Sequence, residues 1–455
     1  MAMSGIQSLR IGVSGVRGIV GQSLTPQLVV GFAQAFGTYL DGGLVIIGRD
    51  PRPSGEMILN ALTGGLLSTG CSVIDVGVCP TPTLQHAVVD LAADGGVAIT
   101  ASHHPSAWNA LKFCREDGVF LNEYQAEELL SVYHQGAFVL RDSEELGRVG
   151  RDEGAINRHL TKVLLSVDRD AIARMAPKVV IDSVNGAGAD CAEGLLEKMG
   201  CEVVAINDVP TGRFPRDPEP IPENLGQLCG AVVEHGADIG LGQDADGDRL
   251  SVVTTDGVAI GEEFTLALAA DVMASRRQGP LVTNLSTSRM IDEVAARHGC
   301  EVVRSKVGEV HVVETMLRVG AIGGGEGNGG VIDPTLGYCR DNLAAMALIL
   351  EGMAQRGVSA AEWAADFRPS AMVKDRVPCA AGHTQRAMLA LRRHYAGQRL
   401  DDTEGVKVFA EDDAWVHARP SNTEPIIRVI AEADDHAIAR ALCDEAMRVI
   451  ADAID

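Results

Sequence analysis

The chain has 455 residues, 46% of them hydrophobic and 22% charged, with a formal net charge of −23. That length exceeds what one hydrophobic core fills and predicts several domains. The negative balance and the 4% aromatic content argue against nucleic acid and against an anionic membrane surface, so any phosphate must be held by cations gathered locally in a cleft.

Ile11 to Gly18 reads as a glycine-punctuated loop carrying Arg17. Thr25-Pro26 supplies a cap and a first-turn proline for a helix over 26–40. Leu44–Ile47 is a strand, Ser54 caps a helix that stops at Gly70, and Cys71–Val78 is a strand meeting a turn at Pro80-Thr81-Pro82. The apolar run Gly95–Ile99 is a short buried strand that delivers Thr100-Ala101-Ser102-His103-His104-Pro105. Proline disfavours helix at the residue before it, so this segment is a loop at a strand end, where ligands collect in open α/β sheets. A helix follows over 122–134, and the pattern restarts after a polar stretch near 141–155.

Lys178–Ile181 then leads into a polar, glycine-rich loop over 182–188. Asp238–Leu241 delivers Gln243-Asp244-Ala-Asp246-Gly-Asp248-Arg249, and Gly320–Ile322 delivers a glycine-rich loop over 323–330 that carries Glu326 and Asn328. Strand-like pieces over 371–377, 405–410, 414–418 and 426–431 precede a terminal helix over 434–453. The expected fold is α/β: three similar α/β domains with mixed sheets plus a smaller C-terminal α+β domain. The boundaries fall at 1–150, 151–253, 254–365 and 366–455.

Three of these loops, and a fourth in the last unit, carry chemistry. A serine beside imidazoles, with Lys112 ten residues on, has the parts of a phosphoryl or acyl acceptor. Asp244, Asp246 and Asp248 stand at alternate positions, and three carboxylates so close repel unless a divalent cation sits among them. Oxygen-only ligands favour a hard cation, Mg²⁺; an EF-hand is excluded because glycine falls at the fourth position and threonine at the twelfth. Glu326 and Asn328 offer an acceptor and a donor to sugar hydroxyls from a glycine-rich stretch that admits close approach. Arg419-Pro-Ser421-Asn422-Thr423-Glu424-Pro425, with Arg428 beyond, has the hydroxyls, amide and guanidiniums of a phosphate cradle.

These motifs, in this order and one per expected domain, resemble the α-D-phosphohexomutase superfamily from Arg10 to the C-terminus. The resemblance implies four domains around a central cleft. It implies that Ser102 is a phosphoserine and Mg²⁺ ligand with Asp244, Asp246 and Asp248, and that Arg17, His103 and Lys112 surround it; Arg249, directly after the aspartates, would face the anion the metal holds. Glu326, Asn328 and Lys306 would read the sugar, while Arg419, Ser421, Asn422, Thr423 and Arg428 would hold the phosphate that is not transferred. It further implies a hexose 6-phosphate/1-phosphate interconversion through a bound hexose 1,6-bisphosphate. The sugar stretch Gly-Glu-Gly-Asn-Gly-Gly looks like the archaeal-type branch, which points to glucosamine phosphate, with mannose or glucose phosphate as the alternative. His104 stands where the family usually has asparagine, and Ala110 where it has glycine. A metal-dependent phosphatase and a non-catalytic sugar-phosphate sensor are the rival readings; the sugar and phosphate loops argue against the first, and the intact Ser102, Lys112 and aspartates against the second.

No basic segment followed by an apolar one opens the chain, no apolar run reaches the roughly 18 residues needed to span a bilayer, and ten cysteines lie scattered without metal spacing. These features predict a cytoplasmic protein, monomer or homodimer, with free thiols.

Overall fold

The computed structural model describes residues 9–12, 15–368, 370–421 and 425–454. Four sheets follow one another along the chain. The first has seven strands in the order Arg10–Gly12, Gly15–Ile19, Trp108–Arg115, Gly95–Ile99, Gly43–Arg49, Cys71–Val78, Val149–Arg151. It is mixed: Gly43–Arg49 runs parallel to both Cys71–Val78 and Gly95–Ile99, while Trp108–Arg115 pairs antiparallel with Gly95–Ile99. The second and third are four-stranded, each with three parallel strands and one antiparallel edge, Leu250–Thr254 in the second and Gly330–Ile332 in the third. The last is a five-stranded antiparallel sheet backed by helices Thr384–His394 and His436–Ile454.

Thr25 caps helix Pro26–Tyr39 as its sequence predicts, its hydroxyl accepting from the Leu28 amide at 3.3 Å. Ser54 does not cap its helix; its hydroxyl accepts instead from Asn109 Nδ2 at 2.9 Å, across the sheet. Pro80-Thr81-Pro82 is not a turn. It opens helix Thr81–Asp90, because proline at the second helical position forfeits only an amide that has no partner there.

The expected loop at 323–330 is also different: Gly323–Glu326 is itself a strand. Side chains there have no room, since a Cβ on Gly324 would lie 2.4 Å from the Val282 carbonyl and one on Gly323 2.7 Å from Met273. Glycine carries the strand through a gap that any larger residue would force open. The second and third α/β units are joined by one continuous apolar core that runs from Leu160 and Val163 through Leu266–Ala274 to Leu343–Met353 and Trp363. The first and last units have cores of their own. Among the described residues no helix is long and apolar enough to cross a membrane, and all ten cysteines are free.

Candidate active site

Strand Gly95–Ile99, wholly buried, ends at Thr100, and two residues later Ser102 turns into left-handed backbone with φ of +51°. A residue with a side chain pays for that conformation, so surrounding groups must impose it. Arg52 does so. Its guanidinium donates to the carbonyls of Ser102 (2.5 Å), His104 (2.7 Å), Pro105 (2.8 Å) and Trp108 (3.2 Å), while its Nε bonds Asp50 at 2.8 Å. Asp50 also accepts from Thr100 Oγ1 at 2.6 Å, and Thr100 in turn accepts from the Ser102 amide at 3.0 Å. The loop is held as a rigid arch with the Ser102 hydroxyl aimed inward.

That hydroxyl donates to Asp244 Oδ2 at 3.2 Å and lies 3.4 Å from His103 Nδ1. Asp244, Asp246 and Asp248 are all buried, with carboxylate oxygens within 4.8 Å of one another. Lys112 Nζ and Thr81 Oγ1 each donate to Asp246 Oδ2 at 2.9 Å, and Asp244 Oδ1 accepts from the amides of Asp248 and Arg249. Burial and the neighbouring Asp248 and Asp246 charges push the Asp244 carboxyl far above its ordinary range. Asp246 is held low: burial alone would raise it, but Lys112 and its hydrogen bonds outweigh that. Two buried oxygens, Asp246 Oδ1 and Asp248 Oδ1, have no hydrogen-bond partner. Three buried carboxylates in contact, two of them with an oxygen left without a partner, fit a hard divalent cation.

The loop over 182–188 proves to be a buttress for this triad. Gln243 Nε2 donates to Ser183 Oγ at 2.9 Å, the Ala187 amide to Ala245 O at 2.9 Å, and a Cβ on Gly188 would sit 2.0 Å from the Gln243 side chain.

A cleft of about 810 Å³ opens above Ser102, lined from all four sheets: Arg17, Ser102, His103 and Lys112; Glu219 and Arg249; Asn284, Glu326 and Asn328; Arg376, Arg419, Ser421 and Arg428. Cations crowd its first wall. Burial, and then the charges of Arg10, Arg249 and Arg52, outweigh the attraction of Asp246 and bring Arg17 down to about 10. Both ring nitrogens of His104 lie 3.4 Å from Arg17 Nη1, and burial with Arg17 and Arg10 depresses this imidazole to about 3. His103 is likewise pushed far down by burial, Arg249 and His104.

Glu326 is fixed at its strand end by Asn284 Nδ2 and the Gly308 amide on Oε1 (2.9 Å each) and by Arg340 on Oε2 (2.9 Å). Burial would raise it, yet Arg340 and Arg249 keep it below the usual range, a carboxylate ready to accept from hydroxyls. Asn328 accepts from the Gly330 amide at 3.2 Å. Lys306 is exposed and does not stand among the lining side chains; Val307, Gly308 and Glu309 form the wall there. Asn422 and Thr423 lie outside the described residues.

Four contributors escape sequence reading. Asp50 and Arg52 follow the strand Gly43–Arg49 but carry no motif that reveals the arch they hold. Arg340 joins Asp248 Oδ2 (2.6 Å), Glu326 Oε2 and Glu309 Oε2 (3.2 Å), tying the aspartate loop to the strand that ends in Glu326. Arg376 pairs in register with Arg428, which pairs in turn with Arg419, so three guanidiniums stand in a row across adjacent strands. Like charges directly opposite destabilise a sheet, and a row of three offers an anion several guanidiniums at once.

One cleft thus brings together a buried serine on a carboxylate cluster, a buried carboxylate at a strand end and a row of guanidiniums. Sequence comparison agrees domain by domain. The phosphoglucomutase/phosphomannomutase alpha/beta/alpha domains I, II and III match residues 8–139, 157–257 and 261–370, and the C-terminal domain of that family matches 376–449. The chain belongs to this family and is a phosphohexomutase, an intramolecular phosphotransferase. It is 38% identical over 96% of its length to a Methanopyrus kandleri protein named "Probable phosphoglucosamine mutase", of which 97% is covered. It is equally 38% identical, over 97% of its length and 98% of the relative, to a "Phosphoglucomutase/phosphomannomutase" of Thermococcus kodakarensis. The crystal structure of a phosphoglucomutase/phosphomannomutase family protein from Burkholderia thailandensis superposes with a TM-score of 0.84 at 26% identity, covering 99% of this chain and 97% of that one.

Proposed function

We propose that Ser102 is the phosphoryl carrier and that the protein interconverts hexose 6-phosphate and hexose 1-phosphate through a bound 1,6-bisphosphate, with glucosamine phosphate preferred. The observation that carries the reading is the Ser102 hydroxyl, buried, forced into left-handed backbone and donating to Asp244 at 3.2 Å. Arg52 would keep that oxygen in line with the cleft while the phosphoryl group passes from it to the sugar's free hydroxyl. The P–Oγ bond breaks as the P–O bond to the sugar forms, the sugar hydroxyl's proton leaves to a base, and Ser102 Oγ regains one. Lys112, beside Asp246, is the favoured group for moving that proton, with His103, 3.4 Å from the Ser102 hydroxyl, the alternative. Mg²⁺ held by Ser102, Asp244, Asp246 and Asp248 would neutralise charge on the transferring group when bound. Arg17 and Arg249 would add to that neutralisation.

The second phosphate goes to Arg376, Arg419 and Arg428 with Ser421, Asn422 and Thr423. Turning the bisphosphate end for end requires that this cradle accept either phosphate, and guanidiniums, which read charge and planarity and no particular sugar atom, suit that demand. Glu326 and Asn328 would take the 3- and 4-hydroxyls, which keep their positions relative to one another in either orientation. Domain limits at 150, 253 and 365, a cytoplasmic location consistent with ten free cysteines, and a monomer or homodimer complete the proposal.

Glucose, mannose and glucosamine share those two hydroxyls and differ at C2, so discrimination should be modest. The support for glucosamine is the Gly-Glu-Gly-Asn-Gly-Gly stretch and the phosphoglucosamine mutase name of one of the two relatives quoted. Parallel kcat/KM values for the three 1-phosphates, with a trace of bisphosphate, test it. A preference for mannose phosphate over glucosamine phosphate of about tenfold, roughly 1.4 kcal/mol, would overturn the substrate assignment.

A further inference from the structure

The three consecutive residues Cys339, Arg340 and Asp341 reach into different parts of the molecule. Arg340 serves the catalytic loops, but its neighbours Cys339 and Asp341 turn to a separate buried pocket. There Asp341 Oδ2 lies 2.8 Å from His159 Nε2 and 3.8 Å from His86 Nε2, and Cys339 Sγ lies 3.9 Å from the same His86 nitrogen. The side chains come from three units: His86 from helix Thr81–Asp90, His159 from helix Ala155–Ser166, and Cys339 with Asp341 from the stretch before helix Asn342–Arg356. Their residues are 4%, 0%, 3% and 2% exposed respectively.

We propose that His86, His159, Asp341 and Cys339 form a second metal site, of the closed structural class that takes Zn²⁺. The donor set is two imidazoles, a carboxylate and a thiol, suited to a borderline ion and unlike the oxygen-only aspartate triad. The nitrogen and oxygen donors lie within 4.8 Å of one another, and Cys339 Sγ stands outside that set, against His86, from where it would swing in as the fourth donor. Bonds of 2.0–2.3 Å to a tetrahedral ion give edges of about 3.3–3.8 Å between donors. The His86–Asp341 and His86–Cys339 separations, 3.8 and 3.9 Å, lie beyond the edges of about 3.3–3.6 Å for those donor pairs, so the ion would draw His86, Asp341 and Cys339 together by a few tenths of an ångström, while His159 would move back from Asp341 by about half an ångström.

The surrounding contacts orient the donors. Thr83 Oγ1 lies 2.8 Å from His159 Nδ1, which directs Nε2 of that ring toward the pocket. Asp341 commits Oδ1 to the amides of Leu343 and Ala344, leaving Oδ2 for both imidazoles. With Cys339 ionised, carboxylate and thiolate balance the two charges of the ion, which a buried site requires. Four protein donors leave no open position for substrate, so the ion would act as a staple between the three α/β units.

The test uses the full chain, stripped with a chelator and titrated with Co²⁺ in excess Mg²⁺, which keeps the aspartate triad supplied. The expected result is one Co²⁺ per chain with the intense visible absorption of tetrahedral cobalt and a near-ultraviolet thiolate-to-cobalt charge-transfer band, both abolished by Zn²⁺. Cys339→Ser should remove the charge-transfer band alone, and His86→Gln should weaken binding by more than about tenfold. A wild-type protein without the charge-transfer band overturns the proposal, and that measurement needs no variant to fold. So does a band that survives Cys339→Ser, or cobalt absorption that Asp246→Asn abolishes, which would place the ion at the triad.

Discussion

Arg340→Met removes the one cation that Asp248, Glu326 and Glu309 share, and the consequences can be worked from the distances. The guanidinium is 2.6 Å from Asp248, 2.9 Å from Glu326 and 3.2 Å from Glu309, and the residue is 7% exposed. Methionine keeps the length of the side chain but supplies no charge. Breaking a buried ion pair by deleting one partner costs about 3–5 kcal/mol, because the survivor is left charged and unpaired. Here three carboxylates survive. Glu309 is already pushed above its ordinary range by burial, against the pull of Arg340. Without that pull Glu309 takes up a proton more readily, which trims the cost at acid pH.

The expected outcome is destabilisation of about 3–5 kcal/mol at neutral pH, read as the shift in a urea unfolding curve. Mg²⁺ should restore more stability to the variant than to wild type, since Asp248 regains a counter-charge while Glu326 does not. The KM for hexose phosphate should stay raised even at saturating Mg²⁺, because Glu326 has lost one of the groups that aim it. Arg340→Lys should fall between: it restores charge, but a single ammonium cannot serve three carboxylates at once. An Arg340→Met protein with wild-type stability, KM and Mg²⁺ response would refute the reasoning.

Ser102→Ala should lack the phosphate adduct seen by intact mass in active wild type and lose turnover by orders of magnitude while folding normally; near-wild-type turnover would remove Ser102 from the reaction. Asp246→Asn removes charge from the oxygen left without a partner, so Mg²⁺ affinity should drop and activity recover in part at high Mg²⁺; chelation that leaves wild-type activity untouched would count against the site. Glu263 lies under the sugar strand, where a Cβ on Gly327 would meet its carboxylate at 1.8 Å, and burial raises it from 4.5 to about 7 despite Lys374. A raised carboxyl makes the folded state hold a proton that the unfolded chain releases. Its contribution is therefore complete below about pH 4.5 and lost as pH rises through about 7, a loss on the order of 3 kcal/mol. Glu263→Gln should flatten that part of the stability profile, and an unchanged profile would assign the dependence elsewhere.

The site residues legible in sequence are those that one stretch of chain delivers together. Ser102 and the three aspartates each follow a strand whose apolar run announces it, and alternate spacing alone brings the carboxylates together. What sequence hides are contributions assembled by pairing across the fold. Arg376 reads as an ordinary strand residue until antiparallel register sets it beside Arg428 and Arg419. Arg52 acts through four carbonyls that belong to residues about fifty positions away. The Gly323–Glu326 strand was hidden for another reason: glycine is a poor strand former, and only the crowding of Val282 and Met273 explains its use there.

That same separation explains why the stretch from Cys339 to Asn342 matters more than its composition suggests. Asp341 is extended, with φ of −137° and ψ of 108°, so successive side chains diverge. Arg340 turns to Asp248 and Glu326, Asp341 to His159, and Asn342 Nδ2 donates to Gln243 Oε1 at 2.7 Å, beneath the aspartate loop. One short segment thus touches the aspartate triad, its buttress, the sugar carboxylate and the pocket of imidazoles. Each contact is buried, so none can be exchanged for water without leaving a charge or an amide unpaired. A shift of the segment by even part of an ångström would be felt at Asp248 and Glu326 together. The aspartate loop and the strand end carrying Glu326 are therefore held in mutual register by the chain between Cys339 and Asn342. Neither loop alone could set that register, because each is anchored in a different sheet.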